Sequence, residues 1–192
     1  MLNKIREKIK PYLEVLGLKL SKLEPKVWSL LGLFLAFLSG LSYSLPFSFS
    51  LLLGGIFLLA SGFTDVIDGA VARVKGKVSD KGAFLDSNLD RLSEVLVFSG
   101  IMYGKKGDPL LIILTLSLSL LVSYSRAKGE ALGLKMMGVG LGERAERVIL
   151  LALFSFLSPL NPQIFNLGLI IIVLLSSFTF VQRIIYGIKN LP

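Results

Sequence analysis

The chain contains no cysteine and no histidine. Disulfides, thiolate metal sites and imidazole acid–base chemistry are therefore excluded. Glutamine occurs only twice, and a shortage of Cys and Gln together fits a thermophilic source. What remains for chemistry is carboxylate, Arg, Lys, Ser, Thr and Tyr. Carboxylates favour hard cations such as Mg2+, Mn2+ or Ca2+. A cleaved secretory signal is not expected either: Met1 to Lys10 is too charged, and no apolar run leads to a small-residue cleavage site.

What is present is apolar. Of 192 residues 53% are hydrophobic, and the mean hydropathy of +0.74 is too high for a soluble domain of this size. Apolar stretches recur at about 27–43, 45–63, 92–103, 109–125, 148–158 and 164–181. Several approach the ~20 residues that cross a hydrocarbon core of about 30 Å. The fold expected is an all-α integral membrane protein with six transmembrane helices, forming one membrane domain over 25–192. Residues 1–24 are expected to form a juxtamembrane amphipathic helix at the interface. Ile5, Ile9, Tyr12, Leu13, Leu16 and Leu20 share a face there, with a break at Pro11. Pro25 suits the first position of the first membrane helix.

The net charge of +8 sorts by topology rather than pointing to nucleic acid. With six crossings, nineteen of the 21 Lys and Arg residues fall on one side, and only Lys105 and Lys106 on the other. Positive-inside bias then places both termini, and the loops after the second and fourth spans, in the cytoplasm of a multi-pass cytoplasmic-membrane protein. A basic cytosolic face also suits anionic lipid and phosphorylated substrates.

Into this apolar chain four of its six aspartates are crowded: Asp65, Asp68, Asp86 and Asp90. A carboxylate at or near the bilayer costs roughly several kcal/mol unless it is paired, hydrated or metal-bound. Asp65 and Asp68 stand at i, i+3, near the end of a helix running from about 46 to Arg73. Asp86 and Asp90 stand at i, i+4, near the start of a helix from Gly82. Each pair shares a helix face. The short loop 74–81 makes the two helix ends neighbours, so the four carboxylates converge. Divalent metal is their natural counter-charge, and two ions with four acids suit displacement at phosphorus. Gly69, Ala72 and Gly82 leave space for a ligand or a close helix, and Arg73 can hold a phosphate. The plain alternative is salt bridging to Arg73 and Arg91, but the acids outnumber these partners.

The segment Asp65 to Asp90 has the form D-x2-D-G-x2-A-R-x8-G-x3-D-x3-D. It resembles the signature of the CDP-alcohol phosphotransferase family at all eight fixed positions. The resemblance implies a homodimer of six-span subunits around a cytosol-facing cavity. It implies transfer of the phospho-lipid part of a CDP-lipid to an acceptor hydroxyl, with release of CMP. By this resemblance Asp65, Asp68 and Asp86 ligate one Mg2+ or Mn2+ ion, and Asp86 and Asp90 contact a second. Asp90 is then the general base. Asp68, Gly69, Ala72, Arg73 and Gly82 form the CDP site, with Arg73 on the diphosphate. The family's Pro-Asn-x-x-Thr pattern stands here as Pro25-Lys26-Val27-Trp28-Ser29, without the Asn and with Ser for Thr.

A second polar segment concerns the acceptor. Arg126 and Lys128 lie near the end of the fourth span, and Arg144 and Arg147 stand at i, i+3 near the start of the fifth, after the glycine-rich run 138–142. Together they suit a phosphate on the acceptor. An ordinary positive-inside cluster paired with Glu130, Glu143 and Glu146 accounts equally for any one of them. The pattern S-Y-x-R-A-x-x-E-A-x-G, followed by G-x-x-E-R-x-E-R, resembles the family branch that uses inositol phosphate (1D-myo-inositol 3-phosphate). With the thermophilic composition, this tilts the expectation to an archaeal protein and a CDP-archaeol donor rather than CDP-diacylglycerol. Glycerol phosphate as acceptor, and CDP-inositol as donor, are enzyme alternatives. A divalent-cation transporter is the non-enzyme alternative; against it, the acids lie near one face and no second polar segment continues a path.

Overall fold

The computed structural model describes residues 2–161 and 163–191, with side chains from Pro11 onward. Among the described residues there are seven helices and no strand: α1 (Leu2–Leu20), α2 (Pro25–Ser44), α3 (Ser50–Val74), α4 (Asp80–Tyr103), α5 (Pro109–Ala131), α6 (Arg144–Leu157) and α7 (Gln163–Asn190). Local chemistry sets several boundaries. Pro25 opens α2 and Pro109 opens α5, where the missing N–H costs nothing. Asp108 caps α5 by accepting from the N–H groups of Leu110 and Leu111. Ser79 caps α4, its hydroxyl accepting from the Gly82 N–H at 3.2 Å.

Two differences from expectation stand out. α1 continues through Pro11 without a break: the proline is exposed, and its missing hydrogen bond is tolerated there. The apolar face proposed for that helix includes Ile5 and Ile9, which lie outside the described side chains. α3 begins at Ser50 rather than near Pro46; Leu45, preceding that proline, is held extended (φ −78°, ψ 144°) and closes α2.

Four helices, α2, α3, α5 and α7, are long and apolar enough to cross a membrane. α6, with 14 residues, is shorter than the usual span, and α4 carries Lys81, Asp86, Asp90, Arg91 and Glu94 in its first half. Both still pack into the bundle. α2 lies against α3 and α4, α3 against α6, and α7 against α5 and α6.

The packing is that of a protein solvated by lipid. Small polar side chains face inward: Ser39, Thr115, Ser119, Ser155, Ser176 and Thr179 are buried, while Phe34, Phe37, Ile113, Leu174 and Phe178 are exposed. Inward hydroxyls tie helices together. Ser39 donates to the Gly54 carbonyl and Ser61 to the Gly32 carbonyl, each at 2.8 Å. The Tyr43 hydroxyl is 2.8 Å from that of Ser155, and its ring tilts against Phe165 in the core. α2 and α4 touch main chain to main chain: a Cβ on Gly100 would sit 2.0 Å from the Gly40 carbonyl oxygen. α1 is docked similarly, with Gly17 buried against the Ala70 carbonyl of α3.

Candidate active site

The start of α2, the end of α3, the start of α4, the end of α5 and the start of α6 meet at one end of the bundle. Asp65 and Asp68 come from α3, and Asp86 and Asp90 from α4, as the helical spacing requires. Carboxylate oxygens of Asp65, Asp68 and Asp86 lie within 4.8 Å of one another. Three hard oxygen donors at this separation fit one ion of the Mg2+ or Mn2+ class. Asp68 is buried, and its Oδ2 accepts a 2.8 Å hydrogen bond from Ser29. Ser29 belongs to the segment that departs from the family pattern, and this tie was not legible in the sequence.

Asp90 stands beside that trio in different company. Arg144 Nη1 lies 2.7 Å from Asp90 Oδ1 and 3.0 Å from Asp65 Oδ2, and Arg91 Nη1 lies 3.6 Å from Asp90 Oδ2. Arg144, expected at an acceptor phosphate, thus reaches the acids themselves. Its i+3 neighbour Arg147 is buried, bonded to Glu94 Oε1 at 2.7 Å and to the Gly142 carbonyl at 2.8 Å.

Two cavities flank the acids. The larger, about 690 Å³, is lined by Ser29, Asp68, Gly69, Ala72, Arg73, Gly82 and Asp86, with Glu24, Lys26 and Lys77 among the other lining residues. All five residues expected at a CDP moiety therefore border one space, of a size usual for small-molecule sites. A Cβ on Gly69 would lie 3.3 Å from Arg73 Nη1, and one on Gly82 would lie 3.2 Å from the capping Ser79 hydroxyl. Lys77 bonds Glu24 at 2.7 Å, and this bond holds the Glu24 carboxyl below its ordinary pKa.

The second cavity, about 300 Å³, opens on the other side of Asp86 and Asp90. Its wall includes Arg91, Arg126, Arg144, Arg147 and Arg183, with Glu130 and Glu143. Lys128 is exposed and is not on that wall. Arg126 pairs with Glu130 at 2.9 Å. Arg183 was not among the residues singled out in the sequence. It is buried, and donates from Nε to the Val139 carbonyl at 2.9 Å and from Nη1 to the Val122 carbonyl at 2.5 Å. The loop 132–143 is folded onto α7 by that contact and by the Gly142 N–H, which donates to Thr179 at 2.8 Å. Gly140 makes the fold-back possible: its φ is +105°, and a Cβ would strike Thr179. The signal that points to Arg183 is its place on the apolar last helix, where an arginine is costly unless it has work there.

Comparison with known proteins agrees with this geometry. The family model described as CDP-alcohol phosphatidyltransferase matches residues 23–181. The archaetidylinositol phosphate synthase of Pyrococcus horikoshii is 36% identical, over 100% of this chain and 98% of the relative. A crystal structure of the Mycobacterium tuberculosis phosphatidylinositol phosphate synthase with CDP-DAG bound superposes with a TM-score of 0.78 at 28% identity, covering 94% of each chain. The same enzyme in complex with manganese and citrate gives 0.76 at 25% identity, covering 100% of this chain and 90% of that one.

Proposed function

The chain belongs to the CDP-alcohol phosphatidyltransferase family, a family of transferases, and from that premise we propose that it joins a CDP-linked lipid to inositol phosphate, releasing CMP. The observation that carries this reading is Asp86, which lines both flanking cavities. The larger cavity takes the CDP part of the donor and the arginine-walled one takes a phosphorylated acceptor, so the two meet at the carboxylates. Relatives named as archaetidylinositol phosphate and phosphatidylinositol phosphate synthases support inositol phosphate as the acceptor. The whole-chain match to an archaeal relative favours CDP-archaeol as the donor. The neighbour with CDP-DAG bound supports a CDP-lipid of either kind.

On this reading Asp65, Asp68 and Asp86 hold one divalent ion, Mg2+ or Mn2+, and Asp86 and Asp90 hold a second. When bound, such ions supply counter-charge to the donor diphosphate and to the departing CMP. The rest is done by the chain. Ser29 orients Asp68. Gly69, Ala72 and Gly82 leave room for the cytidine, and Arg73 meets the diphosphate. Arg126, Arg144, Arg147 and Arg183 give the acceptor cavity its positive wall. The acceptor hydroxyl attacks the phosphorus next to the lipid. A new P–O bond forms, the bond to CMP breaks, and Asp90 takes the hydroxyl proton. Holding donor and acceptor in separate cavities favours this attack over that of water.

In the membrane we place six spans, with α4 and α6 completing the bundle, both termini and the site on the cytoplasmic side, α1 at the interface, and two subunits as a homodimer. The one-sided distribution of Lys and Arg supports the orientation.

Purified protein in detergent, given CDP-archaeol or CDP-diacylglycerol, should release CMP with inositol phosphate and far less with glycerol 3-phosphate. A chelator should abolish the release, and Mg2+ or Mn2+ should restore it. Preference for glycerol 3-phosphate would overturn the acceptor assignment.

A further inference from the structure

Glu94 lies one turn beyond Asp90 on α4 and is buried. Its Oε1 accepts from Arg147 Nη2 at 2.7 Å and lies 4.0 Å from Arg144 Nε. Arg144 Nη1, on the other edge of that guanidinium, holds Asp65 and Asp90. Glu94 therefore stands behind the two arginines of the first turn of α6, and the site acids stand in front of Arg144.

Its surroundings separate it from those acids. Glu94 lines neither the donor cavity nor the acceptor cavity. It lines a third, smaller cavity of about 30 Å³, with Arg144, Arg147, Ser61, Ser93 and Ser119 and a ring of apolar side chains including Val97, Phe98 and Leu151. Among the described residues it is the single acid bordering that space. Two guanidiniums and one buried carboxylate that borders neither substrate cavity make an anchoring arrangement. A buried charge of this kind persists only where paired, and the pairing fixes the partner's rotamer.

We propose that Glu94 is a positioning residue: by bonding Arg147 and placing its charge 4.0 Å from Arg144 Nε, it sets how the α6 arginines face the acceptor cavity, and so tunes recognition of the acceptor's phosphate without touching either substrate. This rests on the reading that the acceptor is phosphorylated. Removing the negative charge leaves two buried like charges three residues apart with weaker anchorage. The effect falls on the acceptor side, because Arg144 and Arg147 line the acceptor cavity and not the donor cavity.

The test varies donor and acceptor in turn with purified full-length protein, reading CMP release. Glu94→Gln keeps the shape and loses the charge; it should raise the acceptor KM about tenfold, the size of one charge-assisted contact, with the donor KM unchanged. Glu94→Asp should recover part of that loss. An unchanged acceptor KM overturns the proposal, as does an equal rise in both KM values, which marks a purely structural role. Should Glu94→Gln aggregate, the same split is read on Glu94→Asp. Wild-type protein inactive with inositol phosphate would overturn the proposed function instead. Inorganic phosphate titrated calorimetrically into wild type and Glu94→Gln then decides the point: weaker binding to the variant supports positioning, and equal binding sinks it.

Discussion

Ser29 reaches across 39 residues of sequence to place its hydroxyl 2.8 Å from Asp68 Oδ2. The bond ties the first turns of α2 to the one buried member of the acidic trio. Partners behind a ligand orient it and raise its affinity. Ser29→Ala should weaken Mn2+ binding about tenfold with the helical content unchanged, as read by titration and circular dichroism. Unchanged Mn2+ affinity would show the bond to be incidental.

Asp90 offers the carboxylate assigned to proton removal. Asp90→Asn should cut CMP release by roughly 10²–10⁴-fold, the usual range for a general base. Donor binding, measured by equilibrium competition with a CDP-lipid analogue, should survive. Wild-type turnover would remove Asp90 from the role.

Arg183 carries a different expectation, because it both lines the acceptor cavity and bonds two main-chain carbonyls. Arg183→Ala should raise the acceptor KM at least about tenfold, with the donor KM little changed. Lysine should rescue poorly, since an ammonium cannot reproduce the planar fork. Full rescue by Arg183→Lys would reduce the residue to a point charge.

Gly100→Ala tests the scaffold. The added Cβ would lie 2.0 Å from the Gly40 carbonyl oxygen, so α2 and α4 must separate. Overpacking against main chain should cost about 3 kcal/mol and lower the thermal midpoint in detergent. Gly76→Ala serves as a contrast: its Cβ meets nothing within 4 Å, so only its positive φ (61°) is penalised.

The acidic cluster was legible because helix periodicity acts over three or four residues: Asp65 with Asp68, and Asp86 with Asp90, are local facts, and a short loop joins the pairs. The five residues expected at the CDP moiety were legible for the same reason, all lying between Asp65 and Asp86. Ser29, Glu94 and Arg183 were not. Each matters through a partner 39 to 61 residues away, and no spacing rule encodes such a contact. Arg144 shows the intermediate case. Its basic character near the site was readable, but its bonds to Asp65 and Asp90 depend on how α6 packs on α3. Six apolar stretches were visible. Only four of the resulting helices have span-like length and composition, because α4 spends its first half on site residues and α6 is short.

The bare contact between Gly40 and Gly100 has a mechanical meaning. With no side chain between them, α2 and α4 meet main chain to main chain at that crossing, while Ser29 lies eleven residues away along α2. At 1.5 Å per residue that lever arm is about 16 Å, so a tilt of about 4° at the crossing moves the Ser29 end by about 1 Å. Displacement of that size, forced by an added side chain, is enough to spoil alignment of reacting groups. The tight far end of the bundle thus sets the tolerance of the open end, and a substitution there should be felt as lost catalytic alignment as well as lost stability, even though it touches neither substrate.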